Sequence, residues 1–266
     1  MHSLFRKMTP RVYTGEEIGK IRESALLVSD TLAEVAKMIA PGIKTIELDR
    51  MAEAFIRSKG GVPACKGYEG FPFTLCISVN NVVVHGFPSE RPLEEGDIIS
   101  VDCVVEKDGF HGDSAYTFTV GTVEEPILNL LAATKASLFK GIEQARAGNR
   151  TGDIGDAVQT YVEQRGYGVV RELCGHGVGK HMHEKPDVPN YGRKSSGTLL
   201  KKGMVIAVEP MITLGNRNIG IARNGWEVFT RDGKPAAHFE HSMAITEGNA
   251  DVLSDFERIE NILKNK

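Results

Sequence analysis

A helical unit that recurs in the second half of the chain constrains the fold more than any other feature. Gly42, Lys44, Thr45, Glu47, Leu48, Phe55, Ile56, Lys59 and Gly60 are matched in order and spacing by Gly148, Arg150, Thr151, Asp153, Ile154, Tyr161, Val162, Arg165 and Gly166. Cap, charge sign, apolar spacing and stop glycine are all shared. A longer helical pattern precedes each unit and strand-like sequence follows it. In the first half that pattern opens on a capping box, Thr14 with Glu17. It runs through Ile18, Ile21, Ala25, Leu32, Val35, Ala36 and Ile39 until Pro41 and Gly42 end it. The second long pattern covers 127–147. In the repeated unit Thr45 is the expected cap, and Leu48, Met51, Phe55 and Ile56 face inward. A repeat this long excludes short-period solenoids. Two like halves, about 14–121 and 122–253 within a single domain 1–266, predict a pseudo-two-fold molecule with a shared cleft at the seam.

The strands lie mainly between these helices. Segments 98–106 and 109–121 flank Lys107, Asp108 and Gly109, a hairpin signal, and 204–212 and 236–246 read as strands of the second half. Long helices segregated from antiparallel hairpins give an α+β class. Hydrophobic residues at 41%, charged residues at 25% and a net charge of -3 describe a soluble globular chain and argue against a protein built to grip a phosphate backbone. No apolar run reaches the roughly 18 residues that a membrane span needs. Met1–Arg11 carries Arg6, Lys7 and Arg11 with no apolar stretch behind them, so a secretory leader is not expected. Cys65, Cys76, Cys103 and Cys174 form no CxxC pair, and reduced thiols in the cytoplasm are expected.

Two acids stand where a buried strand should be apolar: Asp102 within Ile98–Val105 and Glu209 within Met204–Ile212. An unpaired buried carboxylate costs several kcal/mol unless it is paired, protonated or bound to a cation. If the hairpin turns about Lys107 and Asp108, Asp102 faces Asp113 directly, and two carboxylates become cross-strand neighbours. His176 sits among Gly175, Gly177 and Gly179, where backbone can come close to a ligand, and Glu240 occupies another apolar strand. Four carboxylates and one imidazole suit a pair of divalent ions such as Mn, Fe(II), Co or Zn, and not a structural zinc, which would recruit cysteine. The glycine run before Lys180 lacks Walker spacing, and His181 stands where Ser or Thr would follow. His183-Glu184 does not extend to HExxH, because Asp187 takes the second histidine's place. No G-x-S-x-G elbow occurs.

With these residues in hand, the chain resembles the pita-bread metallopeptidases, and among them the bacterial-type, type I methionine aminopeptidases. The likeness rests on Val84-His85-Gly86-Phe87-Pro88, Val101-Asp102, Gly109 to Asp113, Gly175 to Gly179 with His183-Glu184, Val208-Glu209-Pro210 and Phe239-Glu240-His241, and runs over about 14–253. It implies a pita-bread fold, with an antiparallel sheet covered by helices. It implies two divalent metal ions: Asp102 on one, His176 and Glu209 on the other, Asp113 and Glu240 bridging. His85 would sit near the substrate amine and His183 near the scissile carbonyl, with Glu209 moving the proton. Cys65, Tyr68, Phe71, Cys76, Met182 and Trp226 would line the methionine pocket, the two cysteines by packing. The implied reaction is removal of the initiator methionine from nascent chains and peptides with a small second residue, by a monomer that docks on the ribosome transiently at most. Two departures are visible: Met182 stands where relatives usually have Phe, and Val104 where many have a hydroxyl. The short span from His176 to Glu209 leaves no room for the type II helical insertion, and the few residues before the first helix leave none for a zinc-binding extension. The competing expectations are an X-Pro-type aminopeptidase of the same fold, or a binding module that has lost catalysis. Retention of all five candidate ligands and both histidines favours the enzyme.

Overall fold

The computed structural model describes residues 9–266, so the leader reading of Met1–Arg11 lies largely outside the described residues. Helix α1, Gly15–Met38, begins at the expected capping box: the Glu17 N–H donates to Thr14 Oγ1 at 3.3 Å, and the Thr14 N–H donates back to the Glu17 carboxylate at 2.9 Å. Helix α2 is Thr45–Ser58. Thr45 is its first helical residue and not its cap. The cap position belongs to Lys44, whose N–H donates to Glu47 at 3.0 Å, while the Thr45 hydroxyl accepts the Ser89 N–H at 2.8 Å. The same exchange occurs at α4, Thr151–Glu163, where the Arg150 N–H donates to Asp153 at 2.7 Å and Thr151 accepts from Thr198 at 3.1 Å. Gly42 and Gly148 share a φ of 92°, a left-handed conformation that glycine adopts without strain. Helix α3, Glu125–Ile142, stops short of the expected 147, and α5, Glu257–Lys264, closes the chain.

Among the described residues nine strands form the main sheet, antiparallel at every pairing. Its central path runs from Val62–Pro63 through Ile98–Lys107, Phe110–Thr119, Glu240–Ala244, Val205–Val208 and Gly175–Gly177 to Glu184–Val188. Leu75–Val79 adds to Ile98–Lys107, and Asp251–Val252 to Glu240–Ala244. First-half and second-half strands therefore meet where Phe110–Thr119 pairs with Glu240–Ala244.

The central hairpin corrects the expected register. Asp108 and Gly109 both have positive φ, 53° and 79°, as a two-residue type I′ turn requires, so Lys107 closes against Phe110. Asp102 then lies opposite Ala115, and Asp113 opposite Val104. The two acids are diagonal neighbours on one face, farther apart than a direct pair. Side chains alternate across a strand, so Gly112 lies on the other face. There α1 crosses so closely that a Cβ would stand 2.1 Å from the Ala25 nitrogen. Helix covers one face of the hairpin, and the acids occupy the opposite one.

Two expected strands are each divided. Segment 204–212 becomes Val205–Val208 and Met211–Thr213, parted by Glu209 and Pro210. Segment 236–246 becomes Ala236–His238 and Glu240–Ala244, parted by Phe239. Pro210 has no N–H to give the ladder, which ends the first strand. In each case the continuation changes sheet: Met211–Thr213 and Ala236–His238 pair with one another and leave the main sheet.

Candidate metal centre

The acids are assembled by register. Cys76, Asp102, Ala115 and Glu240 form one row across four adjacent strands, each directly opposite the next. The small methyl of Ala115 leaves open the space between Asp102 and Glu240, and Asp113 projects beside it from the same face. Glu209 enters from the strand break before Pro210, and His176 from Gly175–Gly177. His176 Nε2 lies 3.4 Å from Glu209 Oε1 and 3.7 Å from Asp113 Oδ2. Ligand atoms of Asp113, His176 and Glu240 all lie within 4.8 Å of one another. Asp113 and Glu240 are 3% and 2% exposed, so water does little to screen them.

The glycines around His176 correct another expectation. A Cβ at Gly175 would stand 2.3 Å from the Ala207 carbonyl, and one at Gly177 2.4 Å from that of Lys185. They admit neighbouring strand backbone, not a ligand. A side chain at Gly179 would strike the Tyr13 hydroxyl, which donates to the buried Glu184 and accepts the Lys180 N–H at 2.9 Å. That junction fixes the segment carrying Met182 and His183.

Without a cation this arrangement is electrostatically poor. Burial pushes the Asp102 carboxyl up to about 7. Burial, then the Asp102 charge, raises Asp113 well above the usual carboxylate range. Glu209 and Glu240 are raised by burial first and by neighbouring acids second. Burial also lowers His176 to about 4. Its Nδ1 lies 3.0 Å from the Gly177 carbonyl and donates to it as the protonated nitrogen, so the Nε2 lone pair faces the acids. Asp102 Oδ1, Asp113 Oδ1 and Glu240 Oε1 are buried and have no hydrogen-bond partner among the described residues. Lone pairs converging from four carboxylates and an imidazole, with orphaned oxygens among them, fit divalent cations.

The remaining candidate residues line the same cleft, which has a volume of about 1030 Å³. Cys65, Phe71, Cys76, Val104 and Met182 make a buried cluster, with Tyr68 and Trp226 packed on it. The Phe71 and Trp226 rings meet edge to face at 5.1 Å. All four cysteines are free, and a hydrogen bond with Cys65, then burial, pushes the Cys76 thiol up, so it serves as packing. Val104 stands opposite Asp113 and lines this pocket, so its contact is with Asp113 and the apolar wall. His183 Nδ1 is 2.9 Å from the Tyr68 hydroxyl, and its ring lies 4.4 Å from that of His176. His85 also lines the cleft, with a φ of 59° that a non-glycine residue seldom adopts. Burial lowers the pKa of both His85 and His183.

The structure adds residues that the motifs did not single out. Cys174, Met211 and His238 line the cleft, and His238 ends the strand that leaves the main sheet just before Glu240. Like the acids, His238 is a polar residue within a segment that otherwise reads as strand, and that placement is its one local signal. The Tyr68–His183 contact joins residues far apart in sequence, and no local signal announces it.

Residues 19–247 match metallopeptidase family M24. The chain belongs to that family. Methionine aminopeptidase 1 of Bacillus subtilis is 47% identical over 241 residues, covering 91% of this chain and 97% of that protein. The crystal structure of methionine aminopeptidase from Rickettsia prowazekii superposes with a TM-score of 0.92 at 38% identity, over 93% of this chain and all of that one. The prolidase of Pyrococcus furiosus, at 22% identity and a TM-score of 0.76 over 65% of its length, shares the fold. The chain thus has the M24 pita-bread fold, and membership in this metallopeptidase family implies use of divalent metal. Among the described residues, no helix is long and apolar enough to cross a membrane.

Proposed function

We propose that this M24 peptidase removes the N-terminal methionine from peptides and nascent chains whose second residue is small. The observation that carries the reading is one cleft holding both a buried carboxylate row and an apolar pocket of thiols, thioether and aromatic rings. Relatives of nearly the same length, 39–47% identical, bear the name methionine aminopeptidase.

Asp102, Asp113, His176, Glu209 and Glu240 would hold a pair of divalent ions. Mn, Fe(II), Co and Zn all suit this oxygen-rich set with one imidazole. When bound, the ions supply Lewis acidity and a water acidified toward neutral pH. Glu209, which lines the cleft beside His176, accepts the proton of the attacking water and passes it to the leaving amine. His183 Nδ1 lies 2.9 Å from the Tyr68 hydroxyl; with that hydroxyl as donor, Nε2 carries the ring proton and donates to the oxyanion of the scissile carbonyl. His85 orients the substrate near its free amine. Cys65, Tyr68, Phe71, Cys76, Met182 and Trp226 enclose the methionine side chain, where sulfur against aromatic edges is favourable. The two halves act as one catalytic domain, in a cytoplasmic monomer that meets its substrates as they leave the ribosome.

Initial rates of release of the N-terminal residue test the reading. Metal-loaded protein releases free methionine from Met-Ala-Ser, far more slowly from Met-Leu-Ser, and none from the N-acetylated peptide. Preference for Ala-Pro-Ser over Met-Ala-Ser would overturn it in favour of X-Pro cleavage.

A further inference from the structure

His238 is buried beside the acids, and nothing described above accounts for it. His238 is 1% exposed, and neither ring nitrogen has a hydrogen-bond partner among the described residues. A neutral imidazole has one N–H and one lone pair, and leaving a buried polar group unpaired costs about 1–3 kcal/mol. A leucine would fill this site at no such cost, so packing alone does not explain a histidine here.

Its backbone is fixed. The Thr117 hydroxyl donates to the His238 carbonyl at 2.7 Å and accepts the His238 N–H at 3.0 Å, and His238 pairs with Met211 across the small sheet. Met211 follows Glu209 by two residues. This pairing brings His238 Nε2 to 3.7 Å from Glu209 Oε2, while the other carboxylate oxygen, Oε1, faces His176. A turn of the carboxylate by about half an ångström brings Nε2 within N–H···O range. The backbone carbonyl of Glu209 is already held by the Asn190 side-chain amide at 2.9 Å. Only its side chain lacks a donor among the contacts seen here.

We propose that His238 is the positioning residue for Glu209. Its Nε2–H donates to Glu209 Oε2, fixes the plane of the carboxylate, and leaves Oε1 aimed with His176 at one cation. This role rests on the reading that Glu209 is a metal ligand. Losing a hydrogen-bond partner of a metal-binding side chain typically costs 10- to 100-fold in metal affinity.

Calorimetric titration of chelator-treated protein with Co²⁺ tests the pair without reference to turnover. His238→Leu keeps the bulk and removes the donor, and should weaken one Co²⁺ site about 10- to 100-fold. In His238→Gln the amide N–H reaches about as far as Nε2, and affinity should stay within about threefold of wild type. His238→Asn, whose shorter amide falls short of Oε2, should behave like the leucine variant and supplies the contrast if leucine prevents folding. In a Glu209→Ala background, His238→Leu should cost nothing more. Wild-type affinity in His238→Leu beside a weakened Glu209→Ala would overturn the role of His238 alone. Wild-type affinity in Glu209→Ala would overturn the ligand role of Glu209 and, with it, that of His238. Equal loss in the glutamine and leucine variants would show that shape matters and the donor does not.

Discussion

Replacing Asp102 with asparagine should stabilise the metal-free protein, and increasingly so as pH rises. Burial places the Asp102 carboxyl at about 7 in the fold, against about 3.9 in an unfolded chain. A raised folded pKa means the fold binds the proton more tightly than the unfolded chain does. The stability tied to that proton is complete below about pH 4 and is lost as pH rises through about 7. One pKa unit is worth about 1.4 kcal/mol. Wild type should therefore lose about 3 kcal/mol between pH 5 and pH 8 that Asp102→Asn keeps, including relief of Asp113, whose carboxyl the Asp102 charge raises. At about 2–4 °C per kcal/mol for a chain of this size, the gap in melting temperature should widen by roughly 6–12 °C. Scanning calorimetry of both proteins in chelator at pH 5 and pH 8 reads this directly, and comparing the two pH values cancels any fixed cost of the amide. A gap that stays constant, or narrows toward pH 8, would refute the claim that burial keeps the Asp102 carboxyl protonated up to about pH 7 in the metal-free cleft.

Other perturbations separate the parts of the site. His183→Ala should lower kcat about 100- to 1000-fold, the usual cost of an oxyanion donor, with metal content unchanged by elemental analysis; an equal loss of metal would make His183 a ligand. Tyr68→Phe removes the hydroxyl that lies 2.9 Å from His183 Nδ1 and should lower kcat more than it raises KM for Met-Ala-Ser; unchanged kcat would mean the contact does not set the ring's tautomer. Met182→Phe should raise the kcat/KM ratio of Met over Leu and norleucine peptides, because a rigid ring cannot move aside as a thioether can. The change should stay within the 1–3 kcal/mol that such contacts command, and an unaltered ratio would show that Met182 carries no selectivity.

The sequence reported some of this structure faithfully, and physical reasons explain where it did not. The Thr14–Glu17 box marked the start of α1 because a capping box is a purely local exchange of hydrogen bonds. Asp102 and Glu209 stood out because an acid in an apolar strand is costly wherever the strand goes. Register was less legible. Asp108 and Gly109 permit several turns, and only their joint positive φ selects the two-residue one that sets Asp102 against Ala115. The breaks at Pro210 and Phe239 also escaped a pattern reading, since both halves of each segment are apolar and differ only in the sheet they join. His238 was obscured for a related reason: its partner, Glu209, is reached by pairing between two sheet-switching segments. Contacts between residues distant in sequence leave no periodic trace.

The central claim, that the buried acids work by holding divalent ions for methionine removal, is tested most directly by one titration. Chelator-treated protein is given increasing Mn²⁺, and methionine released from Met-Ala-Ser is followed alongside bound metal. Release should be absent without metal, rise with occupancy toward two ions per chain, and stay near background at every Mn²⁺ concentration in Asp113→Ala and Glu240→Ala. Methionine release by metal-free wild-type protein at the loaded rate, or full metal-dependent release by either alanine variant, would contradict the account.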